Sequence, residues 1–161
     1  MTEKLIAQMI KYYNGDPKRI QHFIKVHSFA KQIGLLEEMD KEDLYTLETA
    51  AVVHDIGIRY CEQHYGKCSG KLQEREGPDL ARKMLKELGY TEQVIQRVCY
   101  LVGHHHTYDH IDGLDYQILV EADFLVNLFE DDVTKEAVQT AYDKIFKTTT
   151  GRTFCKEMFG L

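Results

Sequence analysis

The chain has 161 residues, of which 43% are hydrophobic and 29% charged, a composition typical of one soluble globular domain. Its formal net charge of -6 disfavours duplex nucleic acid as a partner, because that affinity depends on clustered lysines and arginines. No apolar run is long enough to span a membrane and the N-terminus lacks the core of a signal peptide, so we expect a cytoplasmic protein.

The apolar residues recur at three- and four-residue spacing along nearly the whole chain, which predicts an all-α bundle of seven to nine helices. Asp16 before Pro17, and Asp40, are expected to cap helices, since a side-chain oxygen at that position accepts from a free backbone N–H. The predicted helices cover residues 2–13, 16–39, 40–57, 77–89, 91–102, 115–130, 132–147 and 151–159.

The polar stretch 58–76 is predicted to be a long loop, and long loops in compact domains are often functional. Its segment 65–71 has the glycines and lysines of an anion-binding nest, which is also the composition of any flexible loop. A zinc clip formed by Cys61, His64 and Cys68 is conceivable, but a fourth ligand at matching spacing is missing. The four cysteines are expected to be reduced in a chain without an export signal.

Four ionisable residues continue apolar stripes of predicted helices, namely His27, His54, His105 and Asp123. A carboxylate on an inward face costs several kcal/mol unless it is paired or bound to a cation. One metal ion would serve all four side chains at once. His54 and Asp55 end a helix whose preceding residues, Ala50-Ala51-Val52-Val53, are all apolar, so that helix end would deliver two ligands to one point.

Each residue taken alone also has a structural interpretation. His27 alone suits a core or partly exposed histidine, and Asp123 alone suits a helix-face residue with an arginine partner. The run His104-His105-His106 alone suits a polar helix end, where histidine is favourable. Imidazole and carboxylate ligands suit Mn, Fe, Co, Mg, Zn or Ni, so the metal's identity stays open.

The order His27, then His54-Asp55-Ile56-Gly57, then Ala122-Asp123 resembles the HD-domain superfamily of metal-dependent phosphohydrolases, over about residues 20–130. The resemblance implies one all-α domain over residues 1–161, with the N-terminal and C-terminal helices packed on an HD core. It also implies a divalent metal bound by His27, His54, Asp55 and Asp123.

Members of this superfamily with additional histidines hold a second metal, which implies that Asp55 bridges two ions here. His105 is then the preferred further ligand, ahead of His104 and His106. Such members carry a histidine shortly before the next helix, and in this chain Glu74 is the candidate oxygen ligand in its place. One or two metal ions per chain are therefore expected.

Many members also carry a lysine four residues after the HD histidine, where this chain has Ile58. Arg59, Lys67 and Arg75 are the candidates for substrate phosphate contacts instead. Glu74, together with His104 or His106, is the candidate general acid or base within reach of the substrate.

The expected function is hydrolysis of a small phosphorylated metabolite or nucleotide by a metal-activated water, with Asp55 as a catalytic residue. Two alternatives stay open. One is a diiron HD-type oxygenase, which uses the same ligands; the other is a non-catalytic, metal-stabilised binding module with a closed coordination shell. A homodimer is possible, and no membrane partner is expected.

Overall fold

Nine α-helices and no strand make up the computed structural model, which describes residues 1–161. The all-α prediction is confirmed. The helices are α1 Thr2–Tyr12, α2 Pro17–Leu36, α3 Lys41–Val53, α4 Gly57–Tyr65, α5 Gly70–Glu87, α6 Glu92–Val102, α7 Leu114–Glu130, α8 Lys135–Lys144 and α9 Thr149–Phe159. None of them combines the length and the apolar content that crossing a bilayer requires.

Two helix starts follow the predicted capping chemistry. The Asp16 side chain accepts a hydrogen bond from the backbone N–H of Arg19 at the start of α2. The Asp40 side chain accepts from the N–H groups of Glu42 and Asp43 at the start of α3. These oxygens satisfy N–H groups that have no partner within the helix.

The predicted loop over residues 58–76 is wrong, because α4 and α5 occupy most of it. Only residues 66–69 link the two helices, and Ser69 caps α5 by accepting from Leu72 N. Pro78 lies inside α5 and does not begin a helix. Gly57 and Gly77 lie at the crossing of α4 and α5, where a Cβ on Gly57 would be 3.2 Å from Gly77 N. These glycines therefore permit close helix packing.

The core forms where α2 packs against α3 and α7, while α5 packs between α4 and α6. Each of the three central helices buries a stripe of apolar side chains, which are Val26, Ala30 and Ile33 from α2, Leu47, Ala50 and Ala51 from α3, and Leu119, Ala122 and Val126 from α7. This packing brings the end of α3 against the first half of α2 and the second half of α7.

Glu121 ties the C-terminal helices to this core. Its buried carboxylate accepts from the backbone N–H groups of Lys147 and Thr148 and from the Thr148 hydroxyl. The site is so tight that a Cβ on Gly151 would collide with the Glu121 carboxylate. Burial raises the pKa of Glu121, and the hydrogen bonds from Thr148 and Lys147 oppose that rise. The turn before α9 is thus built around one carboxylate.

We expect Glu121→Ala to destabilise the fold by about 3 kcal/mol, because it leaves buried N–H groups without an acceptor. Chemical denaturation monitored by circular dichroism measures the change. Glu157→Ala, at an exposed position of α9, is the matched control and should change stability by less than about 0.5 kcal/mol. Equal stability of the two variants would contradict the role given to Glu121.

Candidate metal centre

Four side chains from three parts of the chain converge on one buried point. His22 comes from α2, His54 and Asp55 from the turn after α3, and Asp123 from α7. His22 Nε2 lies 3.2 Å from His54 Nε2 and 3.2 Å from Asp123 Oδ1. Asp55 Oδ2 lies 3.3 Å from His22 Nε2 and 3.4 Å from His54 Nε2.

A second group adjoins the first and shares Asp55. His105 Nε2 lies 3.3 Å from Asp55 Oδ1, the oxygen that faces away from His22 and His54. That nitrogen is fully buried and has no hydrogen-bond partner, since its position relative to Asp55 does not have hydrogen-bond geometry. His106 completes the group, with its ring 4.0 Å from the His105 ring between centroids. Asp55 therefore offers one oxygen to each group.

The other ring nitrogen of each buried histidine is already committed to an acceptor. Nδ1 of His54 donates to Ala51 O at 2.8 Å, and Nδ1 of His105 donates to Val102 O at 2.8 Å. His22 Nδ1 donates to the Glu130 carboxylate at 3.1 Å. In the neutral ring the proton is then on Nδ1, so each Nε2 presents a lone pair to the shared point.

The two carboxylate residues are held in position as well. Asn127 Nδ2 donates to Asp123 Oδ1 at 2.9 Å, one turn further along α7. The Tyr13 hydroxyl donates to the backbone carbonyl of Asp55 at 2.6 Å, and the Tyr12 hydroxyl donates to that of Ile56 at 3.0 Å. The end of α1 thus fixes the backbone of the turn that carries Asp55.

The electrostatics of the centre are dominated by opposite charges in a buried space. Burial alone would lower the pKa of His54, but the carboxylates of Asp55 and Asp123 outweigh it and raise that pKa well above its usual value. Burial alone would raise the pKa of Asp55, but His54 and His105 hold it well below its usual range. Protons and a cation compete for the same nitrogen and oxygen atoms.

These donors fit a divalent cation. Imidazole nitrogens and carboxylate oxygens are ligands for first-row transition metals, and second partners at Nδ1 are typical of ligating histidines. The unpartnered Nε2 of His105 is a buried polar atom that a cation would satisfy. The structure thus contains two adjoining His/Asp groups that could hold divalent metal.

His27, which we predicted as a metal ligand, is not brought into either group. Its Nε2 lies 2.9 Å from Glu48 Oε1, and Lys31 Nζ lies 3.2 Å from the same oxygen. His27 lies five positions after His22, which places the two side chains about 140° apart around the helix axis. His22 is the histidine that faces His54, so it replaces His27 in our assignment.

The sequence did contain a signal for His22. It lies four residues before Val26, which begins the buried stripe continued by Ala30 and Ile33. The stripe through Ile20, Phe23 and Ile24, which led to His27, is fully buried only at Phe23.

Glu74 and His104, predicted as acid–base candidates, lie outside both His/Asp groups that could hold a metal. Glu74 Oε1 accepts from His106 N at 3.0 Å and from the Thr107 hydroxyl at 2.9 Å, so it holds the turn that carries the histidines. The His104 ring stacks on Tyr100, with centroids 4.2 Å apart. Among the three consecutive histidines, His105 and His106 belong to the second group.

The predicted phosphate contacts are engaged elsewhere or lie apart. Arg59 donates to the backbone carbonyls of Tyr12 and Asn14 at the end of α1. Arg75 pairs with Glu76 at 2.6 Å, and Lys67 is exposed in the link between α4 and α5. Cys61 and Cys68, the cysteines of the conceivable zinc clip, belong to no group that could hold a metal.

A cavity of about 220 Å³ opens beside the first group. The basic side chains that line it are not the predicted phosphate contacts. It is lined by Lys18, Arg19, His22, Asp55, Ile58, Asn127, Glu130 and Asp131. A larger cavity of about 540 Å³ is lined by no residue of either His/Asp group. Its only arginine, Arg97, is already paired with Asp112 and Asp115. Of these two cavities, only the smaller one is lined by residues of the His/Asp centre, namely His22 and Asp55.

Comparison with known proteins agrees with this architecture. The HD domain family model matches residues 19–148. A crystal structure of a predicted HD superfamily hydrolase from an uncultured Thermotogales bacterium matches with a TM-score of 0.70 and 23% identity, over 98% of this chain and 84% of that chain. No curated protein sequence matches at a significant level. On the strength of the family model, which spans most of its length, the chain belongs to the HD domain family.

Proposed function

We propose that the chain is a metal-dependent phosphohydrolase that acts on a small phosphorylated metabolite or nucleotide. Its family and its His/Asp centre support a metal-dependent hydrolase in general, and the phosphate ester is our own inference. One observation carries the proposal: three imidazole Nε2 atoms and both oxygens of Asp55 face a shared buried space while each Nδ1 is committed elsewhere.

In this proposal His22, His54, Asp55 and Asp123 would hold one divalent ion, and Asp55, His105 and His106 would hold a second. When bound, the cation would lower the pKa of a water toward neutrality and polarise a phosphoryl oxygen.

The chain's own residues fix the geometry that this chemistry needs. Glu130 sets the orientation of the His22 ring, and Asn127 sets that of the Asp123 carboxylate. Glu74 acts as a positioning residue, since its carboxylate holds the backbone and side chain of the turn after His105. The cavity beside His22 and Asp55 admits the substrate from solvent. Ligand orientation by such partners typically accounts for tenfold to hundredfold in affinity or activity.

The diiron oxygenase stays as a second candidate, because the two adjoining groups with Asp55 between them would also suit two irons. Elemental analysis of the purified protein, followed by phosphate release with Mn²⁺, Fe²⁺, Co²⁺ and Mg²⁺, discriminates the two. Oxygen consumption by an iron-loaded sample without phosphate release would favour the oxygenase and overturn the phosphohydrolase.

Exchange of His22 and His27 for alanine gives a matched pair of variants on the same helix. We expect His22→Ala to weaken metal binding by about tenfold to a hundredfold, because it removes a ligand. His27→Ala should retain normal metal content, because it removes only a partly exposed contact with Glu48. Metal titration by calorimetry measures both affinities. The opposite result would restore His27 as the ligand and remove His22.

His105→Ala should reduce the metal content from two ions per chain to one and lower turnover by about a hundredfold. His104→Ala is the control, since that ring stacks on Tyr100 outside both groups. Metal stoichiometry is measured by elemental analysis after dialysis. If both variants bind the same number of ions as the unchanged protein, His105 is not a ligand.

Removal of the metal by a chelator should lower the melting temperature. A ligand that binds only the folded state stabilises it by about 3 kcal/mol at a hundredfold excess over its dissociation constant. Differential scanning calorimetry before and after chelation measures the shift. Asp55→Ala should melt at the same temperature with and without chelator, because it lacks the carboxylate that faces both groups. A chelator-insensitive melting curve of the unchanged protein, with metal loss verified, would count against the buried centre.

A further inference from the structure

The cavity beside the metal centre is bounded by two helix ends of opposite polarity. Lys18 and Arg19 lie in the first turn of α2, and Glu130 and Asp131 lie at the last residue and C-cap of α7. A helix carries partial positive charge at its N-terminus and partial negative charge at its C-terminus. At both ends the side chains add charge of the same sign as the helix, so one wall is positive and the other negative.

Only one cation of the positive wall is free to meet a ligand. Arg19 pairs with Asp16 and with Glu62, each at 2.5 Å. Lys18 lies next to it and has no carboxylate within ion-pair distance. An anionic group in the cavity would therefore meet Lys18 and the metal centre together.

On the negative wall, one carboxylate takes part in ion pairs and the other does not. Glu130 is shared between His22 Nδ1 and Lys25 Nζ, which lies 3.0 Å from the same oxygen. Asp131 is exposed and takes part in no ion pair. An acidic residue at a helix C-terminus disfavours the helix, and no basic residue in the last turn of α7 offsets it. An aspartate that disfavours its own helix end, at the rim of the candidate substrate cavity, is explained if its carboxylate recognises a ligand.

We propose that this cavity selects a phosphomonoester whose organic part carries a hydroxyl or ammonium hydrogen-bond donor. The inference rests on the proposed phosphohydrolase function. The phosphoryl group lies toward Lys18 and the centre, and the donor lies toward Asp131. A further phosphoryl group would face the Asp131 carboxylate, so di- and triphosphates are disfavoured. The volume of about 220 Å³ suits a small organic part, since it is below the range of drug-sized pockets.

Three ligands with the same phosphoryl group test the proposal: ethyl phosphate, 2-hydroxyethyl phosphate and phosphoethanolamine. Their dissociation constants are measured by calorimetry with the full chain loaded with Ca²⁺, in samples verified to release no phosphate, because turnover would consume the ligand during the titration. Phosphate release is measured with Mn²⁺. We expect both donor-bearing ligands to bind about fivefold more tightly than ethyl phosphate, from one partly exposed charge-assisted contact. Asp131→Asn should reduce the advantage of phosphoethanolamine to about twofold or less. Asp132→Asn, the adjacent carboxylate outside the cavity lining, should leave that advantage unchanged.

Lys18→Met should weaken all three ligands by about tenfold and leave their ratios unchanged, because it acts on the shared phosphoryl group. Lys67→Met is its control. Equal affinity for ethyl phosphate and phosphoethanolamine, or an Asp131→Asn variant with the original ratio, would overturn the selectivity. Phosphate release is measured separately. The expected binding pattern with no phosphate released from any ligand would overturn the phosphohydrolase function and leave the selectivity of the cavity standing.

Discussion

The hydrogen bond at Nδ1 of each buried histidine is the interaction on which the centre depends. His54 and His105 use it in the same way, since each ring donates to the carbonyl three residues earlier, at the end of its own helix. The last carbonyls of a helix have no intrahelical partner, so the imidazole satisfies an atom that would otherwise be unpaired. In return, the ring is fixed with Nε2 pointing away from the helix. The ends of α3 and α6 therefore both aim a nitrogen lone pair at Asp55.

Asp55 is the point at which the fold and the centre are joined. Its carboxylate faces the two groups with different oxygens, while its backbone carbonyl accepts from Tyr13, the C-cap residue of α1. The N-terminal helix thus contributes no ligand but determines where the ligands lie. A buried set of carboxylates and imidazoles destabilises the folded state when any partner is missing, because a buried charge is then left uncompensated. A bound cation would remove that cost, so stability and metal binding are expected to change together.

The sequence predicts part of this centre for a clear physical reason. His54-Asp55 follows four consecutive apolar residues at the end of α3, and Asp123 has mostly apolar neighbours in α7, so burial of these polar residues can be predicted from the local sequence. His22 and His27 both have apolar residues at helical spacing, and only the packing of α2 against α3 and α7 decides which of them faces inward. The loop prediction for residues 58–76 was wrong for a related reason. Their glycines permit the close crossing of α4 and α5, but the same residues in a sequence favour a loop. The hydrogen-bond partner of His22 Nδ1 cannot be predicted from the local sequence either, because Glu130 is more than a hundred residues away in the chain.

Glu130 connects the two halves of the site. Its carboxylate holds His22 at Nδ1 and also lines the cavity in which we place the organic part of the substrate. A donor group that approached Oε1 of Glu130 would compete with His22 and Lys25 for that oxygen. In our proposal Asp131 receives the donor instead, which would keep substrate recognition apart from the orientation of the His22 imidazole. Without that separation, substrate binding and metal binding would weaken each other by the same factor, as reciprocal linkage requires. The charge of Asp131 disfavours the C-terminal end of α7. In return, it would let a substrate bind in the cavity without moving the His22 imidazole.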